Sequence, residues 1–397
     1  MAGFGWRWSE GVQRILHFNT QFASLGGVEA VLRAHHERDA GQDIDSRFVA
    51  FWEKPAEGWP RCRFLDFARS TSVRAARRRV ADACAGFAPA LSVHHTLWGQ
   101  PYWGDLDPAP RRLLFLHSDV PGLAGRLAAR MPGMDAVLAV SDALLSRARE
   151  AAPTWESDRF ARIHYPVFAP GFARTEPGAP DGRRIVLGYA GRLSREQKRV
   201  ERFVELAARL DARAIPWRLE LLGDGEERAA LEKALPDRAR VVFHGRQSGD
   251  AYWRIVDGWD AIVFTSDYEG TPIALLEAMS RGVLPVHPRL GSGGDDYAAR
   301  LDAALVYQPG DMEGMAGAIA EMAAWPAGRW MEARARAWAL MAPHDGAAYL
   351  RAFRNHATAV VAMPVRHEPA ARRWGFPADR LTFAQWEWIA GLRPGGK

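Results

Sequence analysis

Short apolar runs of strand length recur along this chain, each followed by a turn and then by a segment of helical period. In the first half the runs fall at residues 15–18, 47–51, 90–93, 113–116 and 136–140. In the second half they fall at 185–189, 217–222, 241–243, 261–265 and 283–286. Helical periods follow at 28–35, 69–86, after Ser141, and at 200–210, 226–235 and 249–257. In the 69–86 segment Val73, Ala76, Val80 and Cys84 share one stripe. Strand–helix units repeated in this way close through right-handed crossovers into parallel sheets. The expected class is therefore α/β, with two Rossmann-like domains, at 1–168 and 184–362. The segment 169–183 is rich in Pro, Gly and Ala and reads as a linker. The chain ends in helical periods at 312–324, 329–341 and 345–361, breaks at Pro364 and Pro369, and closes with a tail, 363–397, carrying a short amphipathic helix at 383–389.

The most informative stretch is SDYEGTPIALLEAM, residues 266–279, directly after the apolar run 261–265. Thr271 suits an N-cap and Pro272 a first helical position. Gly270 permits close backbone approach to a ligand. A helix start after a strand exposes unpaired N–H groups and a partial positive charge, the usual anion site of open α/β sheets. Glu269 precedes that start and Glu277 follows it by about one and a half turns. Two carboxylates flanking an anion site suit a ligand with a diphosphate in its middle and sugars at both ends.

Glu-x7-Glu in this setting resembles the signature of the retaining glycosyltransferases of family 4, which have the GT-B fold. The resemblance implies two Rossmann-like domains facing a central cleft, with the acceptor on the N-terminal side and a nucleotide-sugar donor on the C-terminal side. It implies that Glu269 is placed by the donor sugar and that Glu277 grips the nucleoside ribose. Gly191-Arg192 followed by Lys198 resembles the family's G-R…K element, which puts Arg192 and Lys198 on the diphosphate. Arg195 and Arg199 are rival cations in the same loop. Gly26-Gly27, after the first strand, resembles the N-terminal glycine loop near the donor diphosphate; taken alone it also reads as an ordinary tight turn. His117 resembles the N-domain histidine near donor sugar and acceptor. The implied catalytic set is His117, Glu269, Arg192 and Lys198. The implied donor-binding set adds Gly26, Gly27, Gly191, Gly270, Thr271, Pro272 and Glu277. Asp119 and Ser141 are candidates for the acceptor side, Asp119 as a base or as a group that orients His117. The C-terminal helix is expected to return to the N-terminal domain, with Trp386 and Ile389 as its contacts or as cover for a local core. One departure is the loop GSGGDDY, 291–297, where the family usually has a Pro-Glu pair after its glycines.

No metal or other cofactor is expected. Asp43-x-Asp45 and Asp105-x-Asp107 have a metal-binding spacing, but neither follows a convincing strand, and short pairs of this kind arise by chance. His94-His95 has no third ligand in view and reads as a pair of hydrogen-bonding loop residues. Cys62 and Cys84 form neither a disulfide framework nor a zinc spacing, which fits a cytoplasmic setting. The N-terminus has no secretory apolar region, and no run approaches a membrane span.

The net charge of +5 is concentrated, with Arg61, Arg63, Arg69, Arg74, Arg77, Arg78 and Arg79 in one short region. This pattern suits an anionic membrane surface at the inner face, with Trp6, Trp8, Trp52 and Trp59 adding interfacial contacts. It equally suits a solvated arginine-rich face. No nucleic-acid recognition motif accompanies the arginines. The leading expectation is a retaining, metal-independent glycosyltransferase that uses a nucleotide-diphospho-sugar and a saccharide or lipid-linked saccharide acceptor. The rivals are a GT-B epimerase or hydrolase of the same donor, and a catalytically silent nucleotide-sugar-binding subunit.

Overall fold

The structure, a computed structural model, describes residues 13–24, 26–171, 184–367 and 378–391, the side chains of 388–391 excepted. Most of the expected linker, Pro369, Trp6, Trp8 and the Ile389 side chain lie outside the described residues. The chain divides into two compact units. One comprises Met1–His117, Gly122–Ile163 and Tyr349–Lys397; the other comprises Ser118–Pro121 and His164–Ala348.

The first unit contains strands β1 (Gln13–Asn19), β2 (Ile44–Ala50), β3 (Cys62–Phe64), β4 (Leu91–His94), β5 (Arg112–Leu116), β6 (Ala136–Ala139) and β7 (Phe160–Arg162). They form one parallel sheet in the order β3-β2-β1-β4-β5-β6-β7. Its helices are α1 (Gly27–Arg38), α2 (Val73–Cys84), α3 (Gln100–Trp103), α4 (Leu123–Arg130) and α5 (Asp142–Ala151). The second unit contains β8 (Ile185–Ala190), β9 (Trp217–Leu222), β10 (Val241–Gly245), β11 (Ala261–Val263), β12 (Leu284–Pro288) and β13 (Val306–Tyr307). These are also parallel, in the order β10-β9-β8-β11-β12-β13. Its helices are α6 (Arg202–Ala212), α7 (Arg228–Ala234), α8 (Gly249–Asp257), α9 (Ile273–Ser280), α10 (Gly294–Leu301), α11 (Met312–Ala323) and α12 (Ala327–Met341). The chain then runs through α13 (Gly346–Ala362), which enters the first unit at Tyr349, and ends the described part with α14 (Phe383–Gly391).

The alternation of apolar runs and helical periods therefore reads through to two Rossmann-like sheets. The stripe on α2 is also realised: Val73, Ala76, Val80 and Cys84 are all buried, and Ser72 caps the helix by accepting from Ala75 N at 3.3 Å. The elements absent from the sequence reading include the short edge strands β3, β7 and β13, too brief to show a period, and the helices α3 and α4. Helix α10 takes up the second part of the 291–297 glycine loop. Its glycines serve the turn that precedes it, where Gly293 sits at φ 117°.

The C-terminal segment is built into the first unit. Asp135, fully buried, accepts from the amides of Arg366 at 2.6 Å and His367 at 2.9 Å, and from His367 Nδ1 at 2.7 Å. Further along, Phe383 is buried in a core with Leu16, Phe18, Phe51, Phe67, Val73 and Trp103, and Trp386 packs against that core. Trp52 also packs there, 4.6 Å from Trp98, and Trp59 packs edge-on to Phe22 at 5.2 Å. Both tryptophans are thus half-buried, each with one side packed against a core.

Candidate active site

Strand order places the candidate site of the second unit. In a doubly wound sheet, ligands bind beyond the C-terminal ends of the strands where successive crossovers leave in opposite directions. Here that point lies between β8 and β11. The loop after β8 carries Gly191, Arg192 and Lys198, and the loop after β11 carries Glu269 and Gly270. Two residues distant in sequence thereby become neighbours: Lys198 Nζ donates to Glu269 Oε1 at 2.6 Å. The same oxygen accepts from Ser266 Oγ at 2.6 Å, and Gln197 Nε2 reaches Oε2 at 3.5 Å. Glu269 is only 4% exposed, so its charge depends on this pairing.

The two loops are tied along their backbones. Asp267 N donates to Gln197 O at 3.0 Å, and Thr265 Oγ1 donates to Lys198 O at 2.8 Å. Arg199 holds a left-handed backbone, φ 51°, and its guanidinium pairs with Asp267. Arg202 reaches the other oxygen of Asp267 at 2.7 Å. Arg195 pairs with Glu227 at 3.4 Å. Both rival cations thus have an acidic partner, and Arg192, like Arg195, is exposed. Gly191 lies under the loop after β9. A Cβ on Gly223, itself at φ 136°, would fall 1.9 Å from Gly191 O, so this contact requires glycine.

Helix α9 begins one residue later than the sequence suggests. Pro272 occupies the N-cap with extended ψ of 127°, and the helix starts at Ile273. Thr271 does not cap it, because Pro272 is itself extended and the first helical residue comes one position later. Its hydroxyl is instead buried without a hydrogen-bond partner among the described residues. Within α9, Glu277 accepts from Tyr252 OH at 2.6 Å. Burial of its carboxyl outweighs that hydrogen bond and raises it to about 7. Beside the helix start, the amides of Gly291 and Ser292 donate to Asp295 at 2.9 and 3.3 Å. These two amides are thereby satisfied within the loop itself.

Gly270 meets backbone rather than open space: it forms an antiparallel bridge with Ser118, and Asp119 N donates to Glu269 O at 3.3 Å. Ser118–Pro121 accordingly clusters with the second unit. In the first unit, Gly26 is extended and exposed before α1, and Gly27 is its first residue. The adjacent amides of Phe22, Ala23 and Ser24 all donate to the Glu53 carboxylate, at 2.5, 2.9 and 2.7 Å. Ser141 is buried and caps α5, accepting from Leu144 N at 3.3 Å. His117 is 7% exposed, with its Nε2 at 2.8 Å from His95 Nδ1. The paired histidines are hydrogen-bonding residues, as read: His94 Nε2 also lies 2.8 Å from Asp107. Asp105 binds Arg77 through both oxygens at 2.6 and 2.7 Å, so neither member of that D-x-D pair is unengaged. No group of metal-ligating side chains occurs among the described residues.

Sequence reasoning missed Ser266, Gln197 and Tyr252. Ser266 stands inside the motif, three residues before Glu269. Tyr252 carried no signal, because its partner lies 25 residues away on another helix.

Residues 184–324 match the family model described as glycosyl transferases group 1. The lipopolysaccharide 1,6-galactosyltransferase of Escherichia coli (strain K12) is 33% identical over 146 residues, covering 35% of this chain and 39% of that protein. The chain thus spans about two fifths of the curated relative it matches. Over most of its length it resembles the apo lipopolysaccharide outer core galactosyltransferase WaaB, with a TM-score of 0.65 at 19% identity, covering 87% of this chain and 99% of that one. It likewise resembles Anabaena Alr3699/HepE in complex with UDP-glucose, with a TM-score of 0.65 at 17% identity, covering 87% and 99%. The fold is therefore GT-B, and residues 184–324 within it match a glycosyl transferases group 1 domain.

Proposed function

We propose that this chain is a retaining, metal-independent glycosyltransferase that moves a sugar from a nucleotide-diphospho-sugar to a hydroxyl acceptor in the synthesis of a surface polysaccharide or glycolipid. The observation that carries this reading is the Lys198–Glu269 pair, set at the switch point and at the start of α9, with the enclosed carboxyl of Glu277 in the same helix. The match of residues 184–324, and a fold shared with a protein solved with UDP-glucose, support it.

Each part of the transfer then has a residue. Lys198 and Arg192 neutralise the leaving diphosphate, together with the first amides of α9. A bound diphosphate draws Lys198 from Glu269, which turns its carboxylate to the hydroxyls of the donor sugar. Glu277 accepts from the ribose. His117, at the end of β5, serves the donor sugar and the acceptor. Two cations suffice for a diphosphate, so no ion is assigned. The acceptor is a saccharide or lipid-linked saccharide, met at an anionic membrane on the cytoplasmic side.

A panel of nucleotide-sugars, read by thermal stabilisation, tests the donor assignment. One class of donor should stabilise the wild type and fail with Glu277→Ala; stabilisation by none would overturn it. With the donor found, Lys198→Ala and Arg192→Ala should each slow transfer by roughly 10²–10³-fold, the scale of one preorganised donor. Full turnover is expected in excess EDTA, and loss restored by Mg²⁺ would overturn metal independence. Rapid sugar release without any acceptor would favour the hydrolase.

A further inference from the structure

A rung of polar side chains crosses the first unit on one face of four adjacent strands. Ser46 stands on β2, His17 on β1, His95 just beyond β4, and His117 just beyond β5. The sheet order β2-β1-β4-β5 makes each the neighbour of the next. His117 Nε2 lies 2.8 Å from His95 Nδ1, His95 Nε2 lies 2.9 Å from His17 Nδ1, and His17 Nε2 lies 3.3 Å from Ser46 Oγ. Ser46 Oγ donates to Asp39 Oδ2, and the other oxygen of Asp39 lies 2.9 Å from His35 Nδ1. Every member is at most 7% exposed. A solvated surface has no use for three imidazoles in series, and a core has cheaper ways to fill the space.

The chain has a direction. A carboxylate only accepts, so Ser46 must give its hydroxyl proton to Asp39. Ser46 Oγ then accepts from His17 Nε2–H. A neutral imidazole has one N–H, so His17 Nδ1 is an acceptor and takes its bond from His95 Nε2–H. By the same step His95 Nδ1 accepts from His117 Nε2–H. The imidazoles are held neutral, because burial pushes His17 and His95 well below the ordinary histidine range and His117 down to about 3.

The geometry points to a proton relay in which Asp39, acting through Ser46, His17 and His95, fixes His117 as the Nε2–H tautomer and leaves His117 Nδ1 as its proton-accepting atom. The functional use rests on the transferase reading, in which His117 serves the acceptor. When Nδ1 takes the acceptor hydroxyl proton, His117 passes its Nε2 proton to His95 Nδ1. His95 passes its own to His17 Nδ1, His17 to Ser46 Oγ, and Ser46 to Asp39. One proton enters, one arrives at the carboxylate, and no buried imidazolium remains. Asp39 is thus a positioning residue more than two side chains away from the chemistry.

The test is the ¹⁵N spectrum of the full chain labelled at histidine, assigned with single His→Gln variants at 17, 95 and 117. In the wild type all three should be neutral Nε2–H tautomers. In Asp39→Asn the amide NH₂ donates to Ser46, Ser46 donates to His17, and all three should invert to Nδ1–H. Should that variant fail to fold, Ser46→Ala cuts the same link and should leave the three tautomers mixed. Wild-type imidazoles in the Nδ1–H form, or tautomers unchanged in the variant that folds, would overturn the relay. Asp39→Asn should also lower kcat at least tenfold with the donor KM unchanged, and an unchanged kcat would remove its positioning role. The spectra need neither donor nor acceptor, so their failure and a failure of the donor panel are separate results.

Discussion

Glu277 keeps its proton to higher pH than an ordinary carboxyl, and this has a measurable sign. Its unfolded carboxyl titrates near 4.5 and its folded one near 7. The fold thus favours the protonated form. Stability is fullest below the lower value, falls between the two, and is flat above the higher one. The residue keeps some solvent access although its carboxyl is enclosed, so the full conversion is discounted to about 1–3 kcal/mol. Glu277→Gln mimics the protonated state. It should match the wild type in thermal stability at pH 4 and exceed it at pH 8, while losing donor stabilisation at both. An equal gain at pH 4 and pH 8 would mean that the carboxyl is not raised. Lys198 sits in the opposite balance: among the described residues, its removal leaves the buried Glu269 carboxylate with hydrogen bonds from Ser266 and Gln197 alone. Lys198→Ala should therefore cost stability as well as rate, and stability should recover in Lys198→Ala/Glu269→Gln while rate should not.

At the scale of elements, the C-terminal segment is a structural part of the first unit. Phe383 is 1% exposed and lies within 5.3–6.2 Å of the Trp52, Phe67, Trp98, Tyr102 and Trp103 rings. Phe383→Ala should destabilise the protein by about 3–5 kcal/mol, the usual cost of emptying such a site. Hydrogen exchange should show α2 opening first, since Val73 N bonds to Leu381 O and Phe383 N to Thr71 O. A loss under about 1 kcal/mol would mean that the helix is only loosely attached. The Asp135 clasp is pH-dependent. Burial alone would raise this carboxyl, but the amides of Arg366, His367 and Arg112 and the His367 ring together hold it below the ordinary range. Its contribution is present above the usual carboxylate pKa and is lost as pH falls through the lowered one.

At the scale of the whole molecule, the basic region is less uniform than its sequence. Arg77 is committed to Asp105, Arg79 to the carbonyls of Leu65 and Asp66, and Arg69 pairs with Glu387. Arg74 and Arg78 stand exposed, four residues apart on α2. No described helix is long and apolar enough to cross a membrane. If these arginines dock on anionic lipid, each contributes on the order of 1 kcal/mol. Arg74→Ser/Arg78→Ser should then weaken co-sedimentation with anionic vesicles by roughly tenfold or more at low salt, and equal binding by both proteins would end the idea. The sequence by itself determined the two parallel sheets, the buried stripe of α2 and the Glu269–Glu277 spacing. Each of these is written in neighbours a few residues apart, where the periods of strand and helix act. Only the tertiary structure decided that Lys198 meets Glu269, that Pro272 takes the cap expected of Thr271, and that Phe383 enters the first core. It also decided that His17, His95 and His117 form one line. That line follows from β1 lying between β2 and β4, and strand order is settled by long-range packing of whole strands, which no local pattern records.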